Sequence, residues 1–248
     1  MIRIAAASLL LSTVLTAHAA EVPLYLMDIP PMASQSAEPG VVGEIVLAAM
    51  KRAGLAPRLV FMPKNRAIVT VALPGTRDTL ILPLARMPER EAQFTWIARL
   101  YQAKRGFFTL DQPVRSFAEG RQRLRSVAVA RGTANGAILR AQGFRPDQIY
   151  EISVNQDAPR MLREGRMQAW FGPLEEMALY LKANGDIVAG PGLVTTDNYL
   201  ACSRQCDPAL VDKLVTAIAR MEKEGLIKTI RAKYALKGRT PPSAVADH

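Results

Sequence analysis

Residues 86–101, RMPEREAQFTWIARLY, decide how the rest of this chain is read. The stretch packs Arg86, Arg90, Glu89, Glu91, a proline and an aromatic cluster into sixteen residues. Apolar, strand-like runs flank it, Thr79 to Leu84 before and Gly106 to Leu110 after. Loops that follow a buried strand are where a rigid scaffold places ligand-contacting groups. The segment is therefore read as supplying an anion-gripping arginine at the mouth of a cleft.

Working outward, strands and helices alternate. Val22 to Met27 reads as a first buried strand, and the prolines of Asp28-Ile29-Pro30-Pro31-Met32 exclude helix after it. Val42, Ile45, Val46, Ala49 and Met50 follow helical spacing, and Gly54 sits where a C-terminal cap belongs. Leu59 to Met62 reads as strand, and Asn65 to Ala72 as a helix with Asn65 as N-cap. A short helix is expected over Pro88 to Gln93. The alternation argues an α/β layer.

Further on, the small-residue strand Ser126 to Ala130 runs into Gly132-Thr133-Ala134-Asn135-Gly136 and a helix over Ala137 to Gln142. Strand, glycine loop and helix start present backbone N–H groups to an anion. The loop lacks the GK[ST] ending of a phosphate-binding Walker loop, and taken alone a tight turn with a threonine cap is the preferred reading. Asp157 is expected to cap a helix through Glu164. Strands follow at Ala169 to Phe171, Asp186 to Ala189 and Tyr199 to Ser203, with a helix from Pro173 to Asn184 between the first two. Gly190-Pro191-Gly192 is a candidate hinge. Asp207-Pro208 opens the clearest helix, with a stripe of Leu210, Val211, Leu214, Val215, Ile218 and Met221 ending at Gly225. A last helix spans Leu226 to Leu236, and Thr240 to His248 reads as a tail.

Composition bounds the class. Apolar residues make 49% and charged residues 22% of the chain, which is globular and not disordered. Arg3, the apolar run Ile4 to Thr16 and Ala17-His18-Ala19 form the pattern of a secretory signal peptide cleaved after Ala19. That run is too short to span a bilayer. Removing Arg3 takes the net charge from +10 to +9. The basic residues are scattered and not interleaved with aromatics, so nucleic acid is not an expected partner. Cys202 and Cys206, the only cysteines, read as a disulfide in an oxidising compartment, worth about 2 kcal/mol in the chain-entropy model. A metal site would need more ligands, and the only histidines are His18 and His248.

These motifs, taken in order, resemble the bacterial extracellular solute-binding proteins of the polar-amino-acid type, the type II periplasmic binding proteins of importers. Arg86 to Glu91 with Phe94-Thr95-Trp96 resembles their T-x-x-R-x-x-x-F-x-x-P-Y region. Asp28 to Met32 looks like the loop after their first strand, and Asn65-Arg66-Ala67 like W-x-R-A without its aromatic. Val127 to Thr133 resembles V-G-V-x-x-G-T, Leu162 to Ala169 resembles L-x-x-G-R-x-D-A with Gln168 for the aspartate, and Lys228 to Tyr234 resembles I-x-x-K-Y. The resemblance implies an α/β fold of two lobes, each a mixed sheet flanked by helices, joined by two hinge crossings. Residues 1–19 would be the signal peptide, 20–102 with 195–248 lobe one, and 103–194 lobe two. The crossings would fall near Ala103-Lys104-Arg105 and Gly190 to Val194.

By the same resemblance, Arg90 grips a ligand carboxylate from lobe one, and the Gly132-Thr133 loop completes the grip from lobe two. A guanidinium fork matches a carboxylate bidentately, and a helix N-terminus adds donors. Arg86, Arg66, Asn135, Met32 and Glu175 complete the ligand-binding candidates, while Phe94 and Trp96 read as core. Pro83 and Ala85 stand where amino-acid binders carry small hydroxyl residues, and Gly172-Pro173 stands near their ammonium-pairing aspartate. These departures point to an acid without a nearby positive charge.

The expected protein is a monomeric periplasmic binding protein with no cofactor and no metal. It delivers a small anionic solute to a membrane permease of an ABC-type importer. Two alternatives stand beside it. One is a periplasmic dehydratase-like enzyme using Glu175 or Glu176 as an acid. The other is a sensory module docking on a membrane receptor.

Overall fold

The structure, a computed structural model, describes residues 20–153, 158–175 and 185–236. The proposed signal peptide, Asp157, Glu176, most of the expected helix after Pro173 and the C-terminal tail lie outside these residues.

The spine of the molecule is one strand, β4, running sixteen residues from Phe94 to Thr109. It joins two half-sheets. Its first part pairs antiparallel with β9 (Val194–Ser203) from Phe94 to Arg105, and its last part pairs antiparallel with β7 (Ala169–Pro173) from Arg105 to Phe108. With β1 (Ala20–Leu26), β2 (Leu55–Val60), β3 (Leu80–Ala85), β5 (Val127–Ala130) and β6 (Ile149–Ile152), the order is β2-β1-β3-β9-β4-β7-β5-β6. The short β8 (Val188–Ala189) pairs with the end of β4. The strand expected from Gly106 to Leu110 is thus the far end of one longer ladder that begins at Phe94. The helix expected over Pro88 to Gln93 is a single 3-10 turn, Pro88–Arg90, followed by turn residues.

In the first half, α1 (Val41–Arg52) lays Val42, Ile45, Val46, Ala49 and Met50 against the sheet, together with the helices Pro208–Lys223 and Leu226–Leu236. Gly54 follows α1 at φ +70°, the left-handed value that favours glycine after a helix. Asp207 caps its helix by accepting from Ala209 N at 2.8 Å. On the other sheet face, α2 packs Ala67 and Val71 against Met27, Ile81, Leu84 and Phe94. It spans Lys64–Ala72 with Pro63, not Asn65, as N-cap. β2 also begins earlier than its apolar run suggests, directly after Gly54.

In the second half, Phe107 of β4 is buried beside Phe117, Phe144 and Phe171, with ring centroids 6.1, 5.8 and 4.9 Å away. Two elements absent from the sequence reading frame this core. They are α3 (Phe117–Arg123), with Ser116 Oγ accepting from Glu119 N at 3.1 Å, and β6. α4 (Ala134–Ala141) follows β5, and α5 (Ala158–Arg163) precedes β7. The disulfide Cys202–Cys206 is formed, closing a short loop between β9 and the helix at Pro208.

Candidate functional site

Between the halves lies a cavity of about 630 Å³. Its wall comes from the ends of β1, β2, β3, β5 and β6, and its floor from the crossing strands β4, β7 and β9. Placement at the carboxyl ends of strands is the usual location of ligand sites in α/β sheets.

Arg90 enters this wall from the turn after β3. Pro88 presets the backbone of that turn, and Arg90 N closes it on Met87 O at 2.9 Å. The side chain then folds back. Its Nη2 donates to Gly132 O of the other half at 3.0 Å, and its Nη1 to Ala85 O at 3.4 Å. Burial pushes the Arg90 pKa down from the ordinary arginine value. Gly132 sits at φ +70°, and a Cβ there would come within 1.5 Å of Asn65 Oδ1. The two halves therefore touch here, with Arg90 and Asn65 on one side and Gly132 on the other.

Thr133 is both a lining residue and the N-cap of α4. Its Oγ1 donates to Ala130 O at 2.6 Å and accepts from Asn135 N at 3.3 Å. Asn135 also lines the cavity, is 2% exposed, and its Oδ1 has no hydrogen-bond partner among the described residues. α4 starts three residues earlier than its apolar run suggests, so this loop is both the threonine-capped turn and the helix start facing the cavity.

The other candidates lie elsewhere. Met32 is fully buried in the core against α1, because the loop after β1 turns it inward. Arg66 is exposed on α2, off the cavity wall. Arg86 points out to the opposite side of its loop. It pairs with Glu91, whose Oε2 accepts from Nε at 2.9 Å, and its guanidinium stacks on Trp96 and Tyr199, 5.5 and 5.2 Å from the ring centres. The hydrogen bond with Glu91, then that with Tyr199, raises the Arg86 pKa, and the same Arg86 contact lowers that of Glu91. Glu175 is turned to the crossing strand, where its Oε1 accepts from Lys104 N at 3.4 Å. Phe94 is core, and Trp96 packs beside it.

Several lining residues escaped the sequence reading, notably Lys64, Tyr101, Arg105, Arg131, Trp170 and Asn198. Arg105 carried one signal. Tyr101, Ala103, Arg105 and Phe107 alternate along β4, and all four are buried, Arg105 with 4% exposure. Arg131 pairs with Glu151 at 4.0 Å. Among the described lining residues four are cationic, Lys64, Arg90, Arg105 and Arg131, and Asp28 is the sole carboxylate. Asp28 Oδ1 accepts from Gln35 N at 3.2 Å at the exposed rim. The arrangement favours an anion. No set of three histidine, cysteine, aspartate or glutamate side chains placed to hold a metal occurs among the described residues.

Comparison with solved structures gives the same architecture. A histidine kinase sensor domain with similarity to periplasmic binding proteins superposes with a TM-score of 0.77 at 16% identity, over 88% of this chain and 96% of that one. EhuB in complex with hydroxyectoine gives 0.75 at 18% identity, over 87% and 88%. The arginine-, lysine-, histidine-binding protein ArtJ from Geobacillus stearothermophilus gives 0.74 at 14% identity, over 89% and 96%. The fold is that of the two-lobed periplasmic binding proteins. It is the fold implied by the motif resemblance, and identities this low speak for fold alone. No protein-family model and no curated protein matches the chain. Among the described residues, no helix is long and apolar enough to cross a membrane.

Proposed function

We propose that this protein is a periplasmic solute-binding protein of the polar-amino-acid type that captures a small carboxylate-bearing molecule and acts without turnover. The observation that carries this is Arg90: it lines a cavity between two half-sheets and already reaches across it to the Gly132–Thr133 loop. A carboxylate entering there meets a guanidinium fork from one side and the N-terminus of α4 from the other. The net positive lining supports an anionic ligand. Lobe one is taken as residues 20–102 with 195–248, and lobe two as 103–194. The halves hinge within β4 and near Val194, and residues 1–19 direct export. The working form is a monomer.

The partner is a membrane permease of an importer. Likeness to a histidine kinase sensor domain also favours a second reading, in which the closed protein docks on a receptor. Reconstitution with the permease and ATPase of a candidate importer separates the two, since only a transport component stimulates ATP hydrolysis. The dehydratase-like alternative loses support from Glu175, whose carboxylate is directed to Lys104 N.

The binding function is tested by thermal unfolding of the purified protein against a library of organic acids and amino acids. A ligand at one hundred times its Kd raises stability by about 2.7 kcal/mol. Absence of any shift across the carboxylates defeats the proposal.

A further inference from the structure

The cavity wall changes character from one part to another. Arg90 and the start of α4 make it polar where β3 and β5 end. Farther out, β1 and β2 run parallel with Tyr25 beside Val60, so the loops after them leave the edge of the sheet side by side. Those loops put Ile29, Pro30, Phe61, Met62 and Pro63 on the cavity. All five side chains are apolar. Ile152 and Trp170, packed in one apolar cluster, line the cavity from the other half.

The backbone of this wall has little left for a polar ligand. Pro30 and Pro63 carry no N–H. Ile29 N donates to Ala33 O at 2.8 Å, and Ile29 O accepts from Met32 N at 2.9 Å and from Ala33 N at 3.0 Å. Pro63 O accepts from Ala67 N at 3.0 Å as α2 begins. Asp28, at the exposed rim, is turned to Gln35 N. A charged or hydrogen-bonding group laid against these residues would lose water and gain few partners. An apolar group would lose nothing.

Phe61 marks the same place. All seven phenylalanines lie within the described residues, and Phe61 alone is exposed, at 48%. The other six pack into the two halves. An aromatic ring left open on a cavity wall is apolar surface for a ligand to cover.

We infer that the ligand is a monocarboxylate with an apolar body, an aryl or alkyl group. Its carboxylate meets Arg90 and the α4 N-terminus, and its body lies against Phe61, Ile29 and Pro63. The inference rests on the binding function proposed above and narrows its ligand class.

The test is calorimetric titration of the purified protein with propionate, hexanoate, octanoate and 3-phenylpropanoate. Lactate, malate and glutamine serve as polar acids, and weak binders are read by competition against the tightest. Affinity is expected to rise about three- to fourfold for each methylene between propionate and hexanoate. The best apolar acid should bind about tenfold or more tighter than any polar one, and the heat-capacity change of binding should grow more negative with the apolar body. Phe61→Ser should lower the ratio of 3-phenylpropanoate to propionate affinity about tenfold, and Phe61→Leu should restore most of it. Should Phe61→Ser not fold, the heat-capacity trend of the unaltered protein decides. A polar acid that binds as tightly as the apolar ones, an affinity or heat-capacity change indifferent to the apolar body, or a ratio unchanged in Phe61→Ser overturns the inference and leaves the binding function standing. Binding of none of the carboxylates overturns both.

Discussion

Arg86 and Arg90 belong to one motif, four residues apart, yet the fold sends them to opposite environments. Arg90 is drawn into the cavity wall, reaches the other half at Gly132, and has its pKa lowered by burial. Arg86 keeps 40% of its side chain exposed, held between two aromatic rings and Glu91, with its pKa raised. A cation paired at the surface braces a loop. A cation half withdrawn from water and facing a cavity is poised for an anion. Position in a motif does not separate these roles, but the side of the turn each residue occupies does.

The contrast can be broken most directly at Arg90. Arg90→Gln is expected to weaken ligand affinity by about 10- to 100-fold, read by titration calorimetry. Equal loss on Arg86→Gln would erase the distinction. Gly132→Ala comes next. It forces a side chain into the left-handed region and against Asn65, so stability should fall by about 1–2 kcal/mol in denaturant titration. Adding Asn65→Ala should relieve the crowding but not the backbone strain. Arg86→Met should lower the melting temperature by no more than about 3 °C, the range of an exposed ion pair in a chain this long, and leave affinity within about threefold.

The smallest effect is pH-dependent. The Arg86 contact holds the Glu91 pKa below its ordinary value of 4.5, so its contribution to stability is present above that value and is lost as pH falls through the depressed one. Glu91→Gln should therefore flatten the acid limb of the stability curve slightly, only below about pH 4.5. A change near neutral pH would show that Glu91 acts through something other than Arg86.

Much of the fold was legible. The stripe of α1, the Asp207-Pro208 start, Gly225, the Cys202–Cys206 link and the alternating α/β order are local signals, and each matches an observed element. Where the reading failed, a local signal was either overlooked or overruled. Ser116-Phe117-Ala118-Glu119 carries the Ser-x-x-Glu start of α3 and was passed over. Asn65 is a good cap by type, but α2 begins before it and its side chain lies against Gly132. Only Gly106 to Leu110 of β4 reads as strand, because the register that carries the ladder back to Phe94 belongs to β9, distant in sequence.

By itself, the sequence determined most of the helical and strand segments and that Arg90 sits on a turn after a buried strand, because periodicity, caps and breakers act over a few residues. Tertiary structure alone decided that Arg105, Tyr101 and Asn198 form the cavity floor and that Arg86, Arg66, Met32 and Glu175 do not line it. Which face of a strand or turn meets the opposite half depends on pairing between residues far apart in the chain, and no local pattern encodes it.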